Sequence, residues 1–395
     1  MSDAEHFVCP GFRAAGCACG IKKNGDADLA LIAADEPATA AAVFTKNRVK
    51  AAPILVASER VEGGRTRAVL INSGNANACT GEGGLSAARK VTRAVADILG
   101  CVEELVVPAS TGVIGALLPV DPVLSSLDGL NRALSPTGFV DAARAIMTTD
   151  TFPKLSRRSV LVGDREYSVL GFAKGAGMIR PDMATMLSFV VTDAPISKGM
   201  LQHALGDAVN GTFNTVTVDG DTSTNDMALA LAGGRGDPLS GAGMDTWCEG
   251  LFGVLSELSG MIVKDGEGAT KCVTVIVRGA PDTHTARHAA FAVAESPLVK
   301  TAFFGGDPNW GRIMGALGMV PGDFDPNRAD ISINDVPVAV DGLGAGAEAE
   351  RAAAGIMAGP EFSVHIDLKS GNGSFSVMTT DLSCDYVRIN ADYRS

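Results

Sequence analysis

Short apolar runs alternate along the chain with clusters of glycine, asparagine, aspartate and proline, and these clusters divide it into elements. FRAAGCACGI and LALIAA, within 11–33, are two strands joined by the turn Lys23-Asn24-Gly25. Residues 40–44, 54–57 and 68–71 form further short strands. The last runs into Asn72-Ser73-Gly74-Asn75-Ala76-Asn77, a polar loop at a sheet end, and a helix over 85–99 follows. Val106 and Val107 lead into a small flexible loop that holds Thr111 and Gly112. A helix over 138–147 ends at Thr148-Thr149-Asp150-Thr151. Ser197 caps a helix that runs through Val209, and 214–218 is a strand. A long helix over 246–264 stops at Asp265-Gly266-Glu267-Gly268. Beyond it come a strand at 272–277, a helix at 285–295, a hairpin at 331–340 and strands at 362–367, 375–379 and 387–390.

One stretch stands apart. Residues 174–187 read KGAGMIRPDMATML. Gly175, Gly177 and Pro181 keep its first half a loop. From Thr185 the chain continues TMLSFVVTDA, a buried strand ended by Asp193 and Pro195. Thr185 therefore sits where a flexible loop feeds a rigid strand. A threonine there either packs as a strand residue or serves as a nucleophile. As a nucleophile it needs a base, and a cut before it would supply one in its own freed α-amine.

Composition narrows the field. The 395 residues suffice for two or three domains and a large core without disulfides, and a second domain begins near Cys272. A formal net charge of −12 argues against nucleic acid or an anionic membrane as partner. The N-terminus lacks a basic, then apolar, leader, and no run is long and apolar enough to cross a bilayer, so the expected location is the cytoplasm. None of the 8 cysteines forms a C-x-x-C pair and the histidines do not fall beside them, so no metal is expected. The Asp219–Asp226 run DGDTSTND alternates acids but has Thr224 at the sixth position and Ala230 at the twelfth, which excludes a calcium loop. Gly342-x-Gly344-x-x-Ala347 matches the loose dinucleotide fingerprint without an acid at the end of a well-placed next strand.

Several strings carry a resemblance. KGAGMIRPDMATML, INSGNANACTG (71–81), STGVIG (110–115), MTTDTFPK (147–154), DGDTSTND (219–226), KDGEGATK (264–271), FFGGDPNWGRI (303–313) and the terminal YVRINADYRS (386–395) are similar, in this order, to the ornithine acetyltransferases, or glutamate N-acetyltransferases. The resemblance covers the chain end to end. It implies an α/β (α+β) fold: an αββα sandwich of the N-terminal-nucleophile type over 1–271, with a smaller α/β domain over 272–395. It implies self-cleavage between Ala184 and Thr185 and assembly of two 1–184 and two 185–395 chains as a heterotetramer. Thr185 would carry the acetyl group from N-acetylornithine to glutamate, with Thr111 and Gly112 as the oxyanion hole. Thr148, Lys174, Thr185, Glu267, Asn390 and Ser395 would hold the substrates. No cofactor is needed in that step. Some members of the family also take acetyl groups from acetyl-CoA, and no residue here decides whether this chain does.

Ala176, Arg180 and Asp182 depart from the commoner pattern of the family near the cut, and Asp182 adds charge two residues before the scissile bond. Two alternatives stand beside the transferase. One is a self-cleaving aminopeptidase or amidase of the same superfamily, which would pass the acyl group to water. The other is an uncut amino-acid-binding protein, which the intact Ala184-Thr185 pair argues against.

Overall fold

The computed structural model describes residues 6–180 and 186–392, which form two compact units. The first comprises Met1–Asn214 and Asp221–Ile262, and the second Thr215–Gly220 and Val263–Arg394.

In the first unit, β1 (Phe12–Cys17), β2 (Leu29–Phe44), α1 (Ala52–Val61), β3 (Arg65–Asn72), α2 (Gly81–Leu99), β4 (Val106–Ser110), α3 (Val120–Arg132) and α4 (Phe139–Ala145) come first in the chain. They are followed by β5 (Lys154–Val162), β6 (Arg165–Lys174), β7 (Leu187–Thr192), α5 (Lys198–Gly211), β8 (Met227–Ala232) and α6 (Gly241–Lys264). The strands make one sheet of order β4-β3-β2-β8-β7-β6-β5, with β1 also paired to β2. Strand β2 spans the sheet. Its first part pairs with β1 and β3, a register shift falls between Ala33 and Ala38, and its last part pairs with β8.

Alternation along β1 and β2 sorts their side chains between two cores. Ala14, Ala30 and Ile32 join a cluster with Leu170 and Phe172 of β6, Phe189 of β7 and Phe139 of α4. Ala15, Leu29 and Leu31 join α2 and α3 on the other side. Close to α6, Gly171 of β6 leaves room for Val254 and Leu258, where a Cβ would sit 2.7 Å and 3.0 Å from their side chains. Apolar matter shared between the halves of the sheet, with helices outside, is the αββα layering.

The second unit contains β9 (Cys272–Ala280), α7 (Thr283–Ala294), α8 (Pro297–Gly305), α9 (Trp310–Leu317), β10 (Asp330–Ile333), β11 (Val336–Val340) and β12 (Leu343–Gly344). It ends with α10 (Ala347–Met357), β13 (Glu361–Asp367), β14 (Gly373–Thr380) and α11 (Cys384–Asp392). Its sheet has order β12-β11-β10-β13-β9-β14, and the alanine-rich face of α7 packs into its core. Because β12 runs antiparallel to β11, and β13 finds its parallel neighbour in β9, the glycines at 342 and 344 do not open a dinucleotide-binding βαβ unit.

Four sequence expectations change. Residues 54–57 belong to helix α1, in which Pro53 occupies the first turn and Ile54, Ala57 and Val61 are buried at helical spacing. Residues 40–44 continue β2 rather than form a separate strand. Around 214–218 the chain makes a 3-10 turn at Phe213–Thr215, and Val216 forms only an isolated bridge to Met378. Residues 387–390 lie in α11, whose start is capped by Ser383 Oγ accepting from the N–H groups of Asp385 at 3.1 Å and Tyr386 at 3.2 Å. The two-residue spacing of Val387 and Ile389 imitates a strand, but a capped first turn outweighs it.

Phe172 is 1% exposed and its ring lies between those of Phe139, at 6.3 Å, and Phe189, at 5.4 Å. Phe172→Ala is expected to lower stability by about 3–5 kcal/mol. Urea unfolding followed by fluorescence of the buried Trp247 would measure it.

Candidate active site

Parallel strands β3 and β4 end side by side, with Asn72 opposite Ser110. Past these ends the regular ladder stops, leaving isolated bridges from Asn75 to Thr111 and Val113, and side-chain amides bond further backbone groups. Asn72 Nδ2 donates to Asn75 O at 2.8 Å, and Asn72 Oδ1 accepts from Ser110 Oγ at 2.6 Å. Asn75 Nδ2 donates to the carbonyls of Ala116 and Leu117, both at 3.1 Å. Asn225 Nδ2, arriving from the segment before β8, donates to Ala76 O at 2.6 Å and Ser110 O at 2.9 Å. The polar loop 72–77 is thus a built lattice rather than a simple turn.

Thr111 and Gly112 follow directly. The Thr111 N–H donates to Asn72 O at 3.0 Å, which fixes the residue, and Thr111 is 7% exposed. Among the described residues, neither the Thr111 hydroxyl nor the Gly112 N–H has a hydrogen-bond partner. Gly112 has φ +126°, and a Cβ on it would stand 2.4 Å from Gly74 C and 2.6 Å from Asn75 N. Only glycine fits there. Two donors held beside a buried loop can receive an oxygen that gains negative charge.

A cationic group is built near the end of β6. Lys174 Nζ donates to Thr148 Oγ1 at 3.3 Å. Beneath it, Asp150 accepts from Lys154 Nζ at 2.7 Å, from the Gly175 N–H at 2.7 Å and from the Thr148 N–H at 2.9 Å. Lys154 and Asp150 side chains are both fully buried. Burial pushes the Asp150 carboxyl up, but Lys154 and Lys174 outweigh it and hold the group below its ordinary range. Lys22 donates to Met147 O at 2.7 Å, and burial lowers its ammonium, with Lys174 adding to the effect. Lys174 and Thr148 are therefore brought together, with Lys22 close by. Sequence reasoning missed Asp150, Lys154 and Lys22 as supports. The (i, i+4) pairing of Asp150 and Lys154 was visible in the chain, but the intervening Phe152-Pro153 hid its meaning.

In the second unit Glu267 is 9% exposed, so it does not lie in a solvated turn. Its Oε2 accepts from Asn390 Nδ2 at 2.8 Å, which pairs these two expected substrate residues. The loop that carries Glu267 is tied down on either side. Gly268 O accepts from Ser383 Oγ at 2.6 Å, and Asp381 accepts from the N–H groups of Thr270 at 2.8 Å and Lys271 at 3.0 Å. Lys300 lies behind Asp381. It is 3% exposed, donates to Thr380 O, and donates to the hydroxyls of Thr379 and Thr380, each at 3.1 Å. Burial lowers its ammonium to about 8.

Ala184, Thr185 and Ser395 lie outside the described residues, as does Asp182. Ala176, on the described side of the cut, is 1% exposed. Of the acids in DGDTSTND, Asp226 is 2% exposed, a position no surface metal loop would give it. Among the described residues no cluster of His, Cys, Asp and Glu could hold a metal ion, and no helix is long and apolar enough to cross a membrane.

Comparison with known proteins places the chain among relatives of one kind. The ArgJ family model matches residues 13–395. The arginine biosynthesis bifunctional protein ArgJ of Geobacter sulfurreducens is 49% identical over 391 residues, which cover 98% of this chain and 99% of that protein. Its namesake from Syntrophotalea carbinolica is 50% identical over 390 residues, covering 98% of this chain and 99% of that protein. Among solved structures, the ornithine acetyltransferase of Mycobacterium tuberculosis complexed with ornithine is 40% identical, covers 45% of this chain and 94% of that chain, and has a TM-score of 0.39.

The Lys300 site has a pH signature. An ordinary lysine titrates near 10.4, so between about 8 and that value the unfolded chain binds more protons than the folded one, and this group's contribution to stability rises with pH. Lys300→Met should remove the rise. Urea unfolding of both proteins from pH 7.5 to 10.5 should give difference values that change by roughly 3 kcal/mol across the window. A flat difference would show that Lys300 titrates normally.

Proposed function

Because this chain belongs to the ArgJ family, we propose that it is activated by self-cleavage between Ala184 and Thr185 and that Thr185 then carries the acetyl group. The enzyme is an acyltransferase of arginine biosynthesis that acts on small-molecule substrates, moving acetyl from N-acetylornithine to glutamate. The observation that carries the reading of the site is the pair of donors after β4: the Thr111 hydroxyl and the Gly112 N–H, both without partners among the described residues.

In the first step the Thr185 hydroxyl attacks the Ala184 carbonyl, the peptide becomes an ester, and water releases it. The new α-amine has an unperturbed pKa near 7.7–8.0, suited to a base at working pH. In the second, Thr185 Oγ attacks the acetyl carbonyl, its proton passes to the α-amine, and Thr111 and Gly112 receive the oxyanion. Ornithine leaves with that proton, and glutamate then takes the acetyl group by the reverse sequence. Lys174 supplies a cation for the substrate α-carboxylate, with Thr148 bonded to it. Glu267, Asn390 and Ser395 serve the ornithine side-chain amine and the substrate backbone, and the Glu267–Asn390 bond supports the pairing.

The relatives are named bifunctional, which favours a second use of the same acyl-threonine: loading from acetyl-CoA. The mature form in this reading is a cytoplasmic heterotetramer of two 1–184 and two 185–395 chains, its catalytic part lying within 1–271 and its C-terminal part, 272–395, contributing the tail.

Intact-mass spectrometry under denaturing conditions should find fragments 1–184 and 185–395, and Thr185→Ala should leave one uncut species with no acetyl transfer. A single uncut species in both samples would sink the mechanism. Gly112→Ala should reduce kcat for acetyl transfer about 10²–10³-fold, because its Cβ would push the 74–75 backbone and displace the donor. Steady-state rates with both substrates varied would give parallel double-reciprocal lines in the intact enzyme.

A further inference from the structure

The acetyl donor places a requirement on the site. In N-acetylornithine the acetylated nitrogen and the carboxylate hang from one α-carbon. Three bonds separate the acetyl carbon from the carboxyl carbon, so the two stay within about 4 Å at any torsion. A carbonyl oxygen received by Thr111 and Gly112 therefore brings the carboxylate to the edge of the same loop. A cation that meets it there must adjoin both that loop and Thr148. Lys22 meets both conditions. Its stem lies over Gly74, where a Cβ would stand 3.1 Å from Lys22 Cγ, and Gly74 is the residue against which Gly112 is packed. Its ammonium donates to Met147 O at 2.7 Å and to Ala27 O at 2.8 Å. Lys174 Nζ is bonded to the next residue, Thr148, at 3.3 Å, so the two cations hold consecutive residues of the chain. Lys22 is half-buried, and its third N–H has no partner among the described residues. The loop that presents it is fixed. The Asp28 carboxylate accepts from the N–H groups of Cys19 at 2.6 Å, Gly20 at 3.1 Å and Lys22 at 2.8 Å. Asp28 O accepts from the Ser73 N–H at 2.9 Å, which ties this loop to the one at 72–77.

We propose that Lys22 is a specificity-determining residue for acetyl transfer: its free N–H donates, beside Lys174, to the α-carboxylate of N-acetylornithine and then of glutamate. This rests on the reading of Thr111 and Gly112 as the oxyanion hole and of Lys174 and Thr148 as the carboxylate subsite. Two ammonium groups in one half-buried place repel each other unless an anion joins them. The acids around Lys22 are engaged elsewhere. Asp28 holds the three N–H groups of its own loop, Asp26 accepts from Asn24 Nδ2 at 2.7 Å, and Asp150 is taken by Lys154, Gly175 and Thr148. Burial lowers the Lys22 ammonium and Lys174 adds to the effect, while those three acids act against it. A substrate carboxylate supplies the missing anion and accepts a charge-assisted bond. A substrate without one gains nothing from Lys22, so the residue separates α-amino acids from the corresponding amines.

The test compares two acetyl donors, N-acetylornithine and N-acetylputrescine, the second being the first without its carboxylate. In a ping-pong reaction kcat/KM for the donor reports the donor half alone, so the acceptor does not blur the comparison. Lys22→Met should lower kcat/KM for N-acetylornithine about 10- to 100-fold more than for N-acetylputrescine. Lys22→Gln keeps an N–H for a main-chain carbonyl but no charge, and it should show the same selective loss. Lys22→Arg should retain most of the preference. Equal losses on both donors in the Met and Gln variants would overturn the proposal, because a residue that only props Gly74 or Met147 affects every donor alike. Intact mass follows cleavage in each variant. If Lys22→Met stays uncut, Lys22→Gln decides, and a Lys22→Gln that is also uncut marks a structural support and overturns the proposal. A preference that Lys174→Met abolishes but both Lys22 variants keep defeats the Lys22 assignment alone. A wild type with no preference between the donors removes the carboxylate-subsite reading itself, and Lys22 falls with it.

Discussion

The constraint on which the site depends is the end of the regular ladder between β3 and β4, past which only isolated bridges continue. Strand backbones arrive there buried, and every N–H and C=O must find a mate or carry a penalty of about 1–3 kcal/mol. The amides of Asn72, Asn75 and Asn225 act as surrogate backbone and absorb these groups. An amide can do this because it carries donors and an acceptor on a short, stiff stem. With the lattice complete, the N–H of Gly112 is left over, and it is left over in a fixed place. Asn225 comes from a segment about 150 residues further along the chain than Ala76, so the loop is rigid only once the whole first unit has folded.

How much of this the sequence shows depends on whether the cause is local. The loop at 72–77, the glycines that open 174–187 and the hairpin about Asn334-Asp335 could be read directly, since turn chemistry acts over a few residues. Thr111, Gly112, Lys174, Glu267 and Asn390 came from resemblance, because nothing local marks a glycine as a donor or a loop acid as buried. Where short apolar runs were read as strands at 54–57 and 387–390, the deciding facts were a proline in a first helical turn and a serine cap. Strands β5, β6 and β8 have no local signature, nor has the burial of Asp150 and Lys154, for they are settled by pairing with distant residues. Locally Asp226 is only a member of an acidic run, since its burial arises from the strands around it.

The second unit solves a similar problem with charge. Glu267 stands between glycines in a loop that has little regular structure, and its neighbours supply the order. Asp381 binds two consecutive N–H groups of that loop, and Lys300 secures the segment from which Asp381 comes. Helix α11, capped by Ser383, then brings Asn390 to Glu267. The position of one carboxylate thus rests on a relay of buried polar bonds, each of which would be weak if exposed to water.

The strand order of the first unit bears on what a break between residues 184 and 185 would leave behind. Strands β7 and β8 follow the break and β2 and β6 precede it, yet in the sheet β7 and β8 lie side by side between β2 and β6. The later fragment is therefore an inlay in the earlier one, joined along both margins by antiparallel ladders. Cutting the chain would change its connectivity without creating a single new sheet edge. Pulling the fragments apart would create four, all apolar and all open to pairing with any strand that passes. The two pieces would behave as one obligate body, made separately only at the risk of aggregation, and their association would be as permanent as the fold itself.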